Sequence, residues 1–162
     1  MSEHENLQRS LFMINIQNQQ NNVAVDIPKL QQDASKILAA LNYADFDLTI
    51  LLTSEPVMQK FNRDYRKKDQ PTDILSFPFY PDLKAGERIL AKDEDDQNLG
   101  DLILCPLYIL NDLDRWQKSF EERLQILLVH GICHLLGYDH IKDEDYLIMK
   151  EQEDWLIAQI NT

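Results

Sequence analysis

Short apolar stretches alternate with amphipathic segments along the first two thirds of the chain. A segment that begins at Asp26 has Pro28 in its first turn and apolar residues at helical spacing as far as Leu41. Ser54 begins a second helix, predicted over 54–66. Four other stretches are short, apolar and bounded by turn residues, which predicts β-strands over 11–16, 46–52, 74–79 and 99–104. The first two strands and the helix between them indicate a parallel pair with a helical crossover.

The remainder of the chain is predicted to be helical. Ser119 followed by Glu122 is a capping box at the start of one helix, and Gly137 ends that helix. From Ile126 to Leu136 the only strongly polar side chains are two histidines, so the body of this helix is apolar on every side, which is typical of the buried central helix of a domain. Three helices are predicted in this part of the chain, over 106–116, 119–136 and 143–160. The 162 residues therefore predict a single α+β domain, in which a small four-stranded mixed sheet packs with about five helices.

Three of the four histidines fall in one segment, HGICHLLGYDH. His130 and His134 are four residues apart, so a helix places both imidazoles on one face, about a turn apart. Gly137 ends the helix, and the turn that follows brings His140 back over the same face. Three imidazoles leave one open position on a tetrahedral metal, as in catalytic zinc sites. The spacing therefore predicts a metal site in the central helix 119–136.

The histidine motif has two other interpretations. In the first, each histidine is a hydrogen-bonded core residue, which requires separate partners for adjacent imidazoles that one ion satisfies together. In the second, the spacing is that of the metzincin proteases, in which a glutamate after the first histidine activates water. In this chain that position is Gly131, and Met149 lies in a predicted helix rather than in a Met-turn. Peptide hydrolysis is therefore disfavoured, and Cys133 is interpreted as an apolar packing residue rather than a fourth ligand.

Composition and charge narrow the classes of function. No apolar run is long enough to span a membrane and no secretory signal is recognised, so we expect a soluble, cytoplasmic protein. Two cysteines without C-x-x-C spacing exclude a disulfide framework. The formal net charge is −12, yet residues 60–68, KFNRDYRKK, are strongly basic. This concentration of cations favours a phosphate-binding surface, although the dipole of helix 54–66 also attracts cations to its C-terminal end.

The histidine motif occurs together with YRKKDQPTDILSFPF at 65–79 and LGDLILC at 99–105. In this order, the three segments resemble the YbeY family of rRNA maturation factors, which are single-strand-specific, metal-dependent endoribonucleases. The family pattern H-G-x-x-H-L-x-G-Y-D-H is matched at every fixed position. The matching segments cover most of residues 65–140, whereas the first 60 residues contain no motif of the family.

The resemblance implies a zincin-like fold and a cytoplasmic hydrolase that acts in small-subunit rRNA 3′-end maturation and ribosome quality control. It implies that His130, His134 and His140 hold the metal, expected to be one Zn²⁺ per chain, and that Arg66 is the catalytic basic residue. The expected partners are single-stranded rRNA, the small ribosomal subunit and its assembly factors. Neither a membrane nor DNA is expected as a partner.

Four further residues are predicted to support the site. Lys67 and Lys68 extend the basic segment toward an RNA backbone, and Ser76 in strand 74–79 is a candidate substrate contact. Asp139 is expected to stabilise the turn or to orient a ligand imidazole. The group that accepts the proton stays open among metal-activated water, the substrate 2′-OH and Asp139. His4 has no expected role.

Two other classes of function remain compatible with the sequence. Another zinc-dependent hydrolase, such as a protease-like enzyme, needs the histidines but not the basic segment. A non-catalytic ribosome-assembly factor with a structural metal needs a fourth protein ligand.

Overall fold

A computed structural model describes residues 13–162, so His4 and the first two residues of the predicted strand 11–16 lie outside the described residues. Within this range, four strands and six α-helices confirm the predicted α+β class. One 3₁₀ turn, Glu94–Asp96, precedes the last strand. In chain order the elements are β1 (Ile14–Asn18), α1 (Ile27–Ala40), β2 (Asp47–Leu52), α2 (Glu55–Arg66), β3 (Ile74–Pro78), β4 (Asn98–Leu104), α3 (Pro106–Asn111), α4 (Leu113–Trp116), α5 (Phe120–Leu135) and α6 (Asp143–Ile160).

The strands form one mixed sheet in the order β1-β2-β4-β3. β1, β2 and β4 are parallel, whereas β3 runs antiparallel to β4. Ile14 of β1 lies opposite Leu48 of β2, and Ile50 of β2 lies opposite Leu102 of β4. Because α1 joins the parallel strands β1 and β2, the predicted helical crossover is confirmed. β3 is an edge strand of this sheet.

Successive side chains of a strand point to opposite faces of the sheet. Apolar side chains therefore lie on both faces, and helices cover both. Leu48 and Ile50 of β2 pack into the main core, which also contains residues of α1, α5 and α6. Leu75 of β3 and Ile103 of β4 pack into a smaller cluster on the other face, with Met58 of α2. α5 and α2 therefore lie on opposite faces.

Two details of the predicted secondary structure are wrong. The predicted helix 106–116 consists of two short helices, which meet at Asp112. The Asp112 carboxylate accepts a hydrogen bond from Trp116 Nε1 at 3.0 Å, so this side chain stabilises the junction. Residues 17 and 18, which follow the predicted strand 11–16, extend β1 because they pair with the end of β2. Backbone hydrogen bonds of this pairing hold Gln17 and Asn18 in the strand, although their polar side chains do not favour one.

α5 is the central helix of the main core. Ser119 Oγ accepts a hydrogen bond from the backbone N–H of Glu122 at 3.1 Å, so the predicted N-terminal cap is confirmed. Buried side chains lie on several sides of the helix, including Leu124, Leu128 and Ile132. None of the helices in residues 13–162 combines the length and the apolar composition needed to cross a membrane.

A partly buried ion pair joins the loop before β3 to the first turns of α5. Arg123 Nη2 lies 3.3 Å from Asp73 Oδ2, and the guanidinium carbon lies 3.7 Å from the centre of the Trp116 ring. Asp73 Oδ1 also accepts a hydrogen bond from the backbone N–H of Ile74 at 2.7 Å. These contacts fix the start of β3 relative to the helix that carries the histidines.

Candidate metal centre and basic surface

Three histidines from α5 and the turn after it form one cluster. His130 and His134 lie one turn apart on α5, with their Nε2 atoms 3.1 Å apart. The ring centre of His140 lies 5.5 Å from that of His130 and 5.1 Å from that of His134. One candidate ligand atom from each residue lies within 4.8 Å of the others. Because His140 is exposed and the other two are half-buried, the cluster opens to solvent.

Both histidines of α5 have acceptors at their Nδ1 atoms. His130 Nδ1 lies 3.1 Å from Glu153 Oε2 in α6. His134 Nδ1 lies 2.9 Å from the backbone carbonyl oxygen of Tyr138. A carboxylate and a carbonyl accept hydrogen bonds, so we assign the proton of each neutral imidazole to Nδ1. Each Nε2 then keeps its lone pair and is free to bind a metal.

This arrangement of nitrogen atoms fits a metal ion. Two Nε2 lone pairs 3.1 Å apart lack a donor between them, and a cation satisfies both. Zinc binds imidazole nitrogens at ~2.0–2.1 Å, which in tetrahedral geometry places two such nitrogens about 3.3 Å apart. The observed separation is close to this value. A set of three imidazoles suits Zn²⁺ and similar divalent metals.

Burial shifts the pKa values of two neighbouring residues of α5, His134 in the cluster and Cys133 before it in the chain. Burial, and after it the neighbouring His130, lowers the pKa of His134 to about 4. His134 is therefore neutral near pH 7, as a metal ligand must be. Burial, and after it the charge of Glu153, raises the pKa of Cys133. A buried, protonated thiol is a poor metal ligand, which agrees with the interpretation of Cys133 as a packing residue.

The turn after α5 depends on Gly137. This residue has a φ of 89°, and an added Cβ atom would lie 2.2 Å from the backbone oxygen of Leu83. Only glycine combines this conformation with so close an approach. Asp139 Oδ1 accepts a hydrogen bond from the backbone N–H of His140 at 2.7 Å. In this structure Asp139 thus supports the turn that returns His140 to the cluster.

Gly131, the residue between the two helical histidines where a zinc protease has glutamate, faces the sheet. A Cβ atom at this position would lie 2.7 Å from Ile74 Cδ1 of β3 and 2.8 Å from Leu102 Cδ2 of β4. The close packing of α5 on the sheet therefore has no room for a glutamate side chain, which would also bury a charge among apolar groups.

Glu153 is the residue at this site that sequence reasoning missed. It lies 23 positions after His130, on a different helix. The spacing along α6 nevertheless indicates that Glu153 faces the protein interior. The buried residues of this helix are Met149, Leu156 and Ile160, and position 153 lies on the same face. A carboxylate within an otherwise apolar helical stripe indicates a buried partner.

Arg66, Lys67 and Lys68 lie at the C-terminal end of α2 and in the turn that follows it. Lys67 has a φ of 61° and ends the helix, and its Nζ donates to the backbone carbonyl of Asp64 at 3.1 Å. This contact agrees with the helix-end explanation for one cation. The exposed side chains of Arg66 and Lys68 form no hydrogen bond or ion pair with any residue in 13–162. They are therefore available to an anionic ligand.

Ser76 lies in β3 and is half-buried, opposite Leu102 of β4. Residues two apart in a strand share a face, so Ser76 lies on the same face as Ile74, toward α5. The structure thus places Ser76 on the α5 side of the edge strand and the basic residues at the end of α2.

Comparison with known proteins adds to this geometry. The family model described as Endoribonuclease YbeY matches residues 15–161. Endoribonuclease YbeY of Neisseria meningitidis serogroup C is 36% identical over 149 residues, which are 91% of this chain and 83% of that protein. Endoribonuclease YbeY of Finegoldia magna is 32% identical over 154 residues, which are 92% of this chain and 94% of that protein.

A solved structure has the same fold. The solution structure of a protein from Thermotoga maritima superposes with a TM-score of 0.60 and covers 91% of this chain and 89% of its own. At 24% sequence identity, this likeness concerns the fold alone. The family match, by contrast, covers nearly all the described residues, including the three histidines. The chain therefore belongs to the Endoribonuclease YbeY family.

Proposed function

We propose that this protein is a metal-dependent endoribonuclease that cleaves single-stranded RNA. The observation that carries the proposal is the pair of facing Nε2 atoms of His130 and His134, 3.1 Å apart, with His140 beside them. The three imidazoles would hold a divalent metal ion such as Zn²⁺. The substrate class is supported by the family, whose relatives in Neisseria and Finegoldia are named as endoribonucleases.

In this mechanism the three histidines hold one Zn²⁺, and the chain's other residues bind and orient RNA. When bound, zinc supplies Lewis acidity toward a phosphoryl oxygen and lowers the pKa of water. Arg66 clamps the scissile phosphate through its planar guanidinium and offsets the charge that develops there. Lys67 and Lys68 attract the RNA backbone. Ser76, on the α5 face of β3, contacts the substrate.

Two carboxylates support the ligands. Asp139 holds the turn that presents His140, since it accepts that residue's backbone N–H. Glu153 acts as a positioning residue for His130: it accepts the Nδ1 proton and directs Nε2 toward the metal. The role of orienting a ligand imidazole, expected of Asp139 from the sequence, therefore belongs to Glu153 in this mechanism.

We further propose that the substrate in the cell is rRNA, cleaved during 3′-end maturation of the small subunit and in ribosome quality control. The enzyme would act in the cytoplasm as one domain over residues 1–162, with the small subunit and its assembly factors as partners. The family match and the basic segment 60–68 support an RNA substrate.

The competing classes of function have less support. For a protease-like hydrolase, the position of the catalytic glutamate is Gly131, which packs against the sheet. For a non-catalytic factor with a structural metal, a fourth ligand is needed, and the cluster found in residues 13–162 consists of three histidines.

A cleavage assay with matched RNAs tests the proposed function. Zinc-loaded protein is incubated with a labelled single strand and with the same strand in a duplex, each with and without a chelator. We expect cleavage of the single strand only, loss of cleavage with the chelator and recovery when Zn²⁺ is added back. Equal cleavage with the chelator, or none under any condition, would contradict the proposal.

The assignment of Glu153 predicts a change in metal affinity. Glu153→Ala should weaken zinc binding about 10-fold to 100-fold, because His130 loses the acceptor that fixes its orientation. Glu153→Gln should lose less, since its amide oxygen still accepts the Nδ1 proton. Competition with a chromophoric chelator measures the affinity. Glu151→Ala, an exposed glutamate on the same helix, is the control, and an affinity loss equal in both alanine variants would show that Glu153 has no special role.

A further inference from the structure

Three aromatic residues, Phe61, Tyr65 and Phe77, form a cluster at the basic end of α2. The Phe61 and Tyr65 rings are stacked, with centres 6.2 Å apart and planes 20° apart. The Phe77 ring from β3 meets the Tyr65 ring edge to face, with centres 4.9 Å apart at 71°. Phe61 and Phe77 are half-buried, whereas Tyr65 is 65% exposed. Two neighbours therefore support a tyrosine ring that faces solvent.

Burial does not explain the position of Tyr65. An aromatic ring contributes to stability mainly through the apolar surface that it removes from water, and most of this ring remains in water. The Tyr65 hydroxyl forms no hydrogen bond with any residue in 13–162. A supported, exposed ring loses little conformational freedom when a flat ligand stacks on it.

The charges around the cluster match a nucleic acid. Arg66 directly follows Tyr65, and its side chain and that of Lys68 have no acidic partner among the described residues. Asp64 directly precedes Tyr65, and its Oδ1 lies 3.3 Å from Nε of Arg63. A ring beside unpaired cations offers a surface for a base next to charges for its phosphate.

The edge strand connects this cluster to the histidines. Phe77 of β3 points toward α2, while Ile74 of the same strand packs toward α5, against the position of Gly131. Gly131 lies between the first two histidines of the metal site. β3, which carries both Phe77 and Ile74, is an edge strand of the sheet, so no further strand flanks it on its outer side.

We propose that Tyr65, supported by Phe61 and Phe77, is a stacking platform for one unpaired base of the RNA substrate. The inference rests on the proposed ribonuclease function and assigns it a source of single-strand preference. A base in a duplex is already stacked and paired, so it cannot lie on the tyrosine ring without disruption of the helix. Lys68 holds a phosphate next to the stacked base, and Arg66, directly after Tyr65 in the chain, holds the scissile phosphate as in the proposed mechanism.

Competition between RNA strands tests the platform in the zinc-loaded enzyme. The assay measures how strongly two unlabelled competitors inhibit cleavage of a labelled single strand. One competitor is a normal single strand, and the other is an abasic strand with the same number of phosphates. Tyr65→Ala should weaken the normal competitor about 5-fold to 150-fold, the range expected for one stacked base. It should leave the abasic competitor unchanged, because that strand has no base to stack.

Further variants separate stacking from other effects of the substitution. Tyr65→Trp should retain the affinity of the parent, since indole also stacks, and Tyr146→Ala, a half-exposed tyrosine on α6, should change neither competitor. Equal losses for the normal and abasic strands, or no loss for either, would overturn the platform while the parent still cleaves RNA. If the parent cleaves no RNA, it is the proposed function that fails.

Discussion

Replacing both His130 and His134 by alanine should abolish zinc binding and RNA cleavage together. In the proposed site, the two Nε2 atoms that lie 3.1 Å apart would supply two of the three nitrogen ligands, and His140 alone, exposed in a turn, would not hold the ion. Elemental analysis of gently purified protein should give about one zinc per chain for the parent and close to none for the variant. His4→Ala, which removes the remaining histidine of the sequence, is the control and should keep the metal.

The same metal should stabilise the fold. Its removal leaves two imidazole lone pairs facing each other beside the core, so the parent should melt at a lower temperature with a chelator. The double variant should melt at the same temperature with and without the chelator. Full zinc content in the double variant would exclude this site, and a parent melting temperature unchanged by the chelator would exclude the stabilising role.

Arg66→Ala should slow RNA cleavage about 10²-fold to 10³-fold, the range expected for loss of one charge-stabilising donor. Zinc content and melting temperature should not change, because the exposed Arg66 side chain has no partner among residues 13–162. Arg66→Lys should recover part of the rate, since an ammonium supplies charge without the planar pair of donors. Single-turnover cleavage of a single-stranded RNA at two salt concentrations measures the effect.

Charge reversal at Lys67 and Lys68 separates catalysis from attraction of the RNA. If these residues act on the backbone, the variant should bind RNA more weakly with a smaller salt dependence and change the maximal rate little. Arg115→Ala, at an exposed arginine on α4, is the control for loss of one surface cation.

Cleavage by Arg66→Ala at the parent rate would remove Arg66 from the mechanism. The basic segment would then be a solvated helix end, as its position also allows.

The sequence alone determined the elements and the histidine cluster, because both follow from local periodicity. Apolar stretches located the strands to within a few residues, and the capping box located the start of α5. The four-residue spacing of His130 and His134 fixes their shared face in any α-helix, and the glycine three residues later ends that helix. These signals need no knowledge of distant residues.

Only the tertiary structure decided which distant residues meet these elements. Glu153 reaches His130 from α6, and Phe77 of β3 supports Tyr65 of α2, through contacts that no local pattern encodes. The same holds for the direction in which Gly131 faces and for the antiparallel edge position of β3. Contacts of this kind depend on how helices and strands pack to bury apolar surface, and many packings share the same local periodicity. The sequence therefore predicts the metal ligands, while packing determines the residues that support them and the side chains that surround Tyr65.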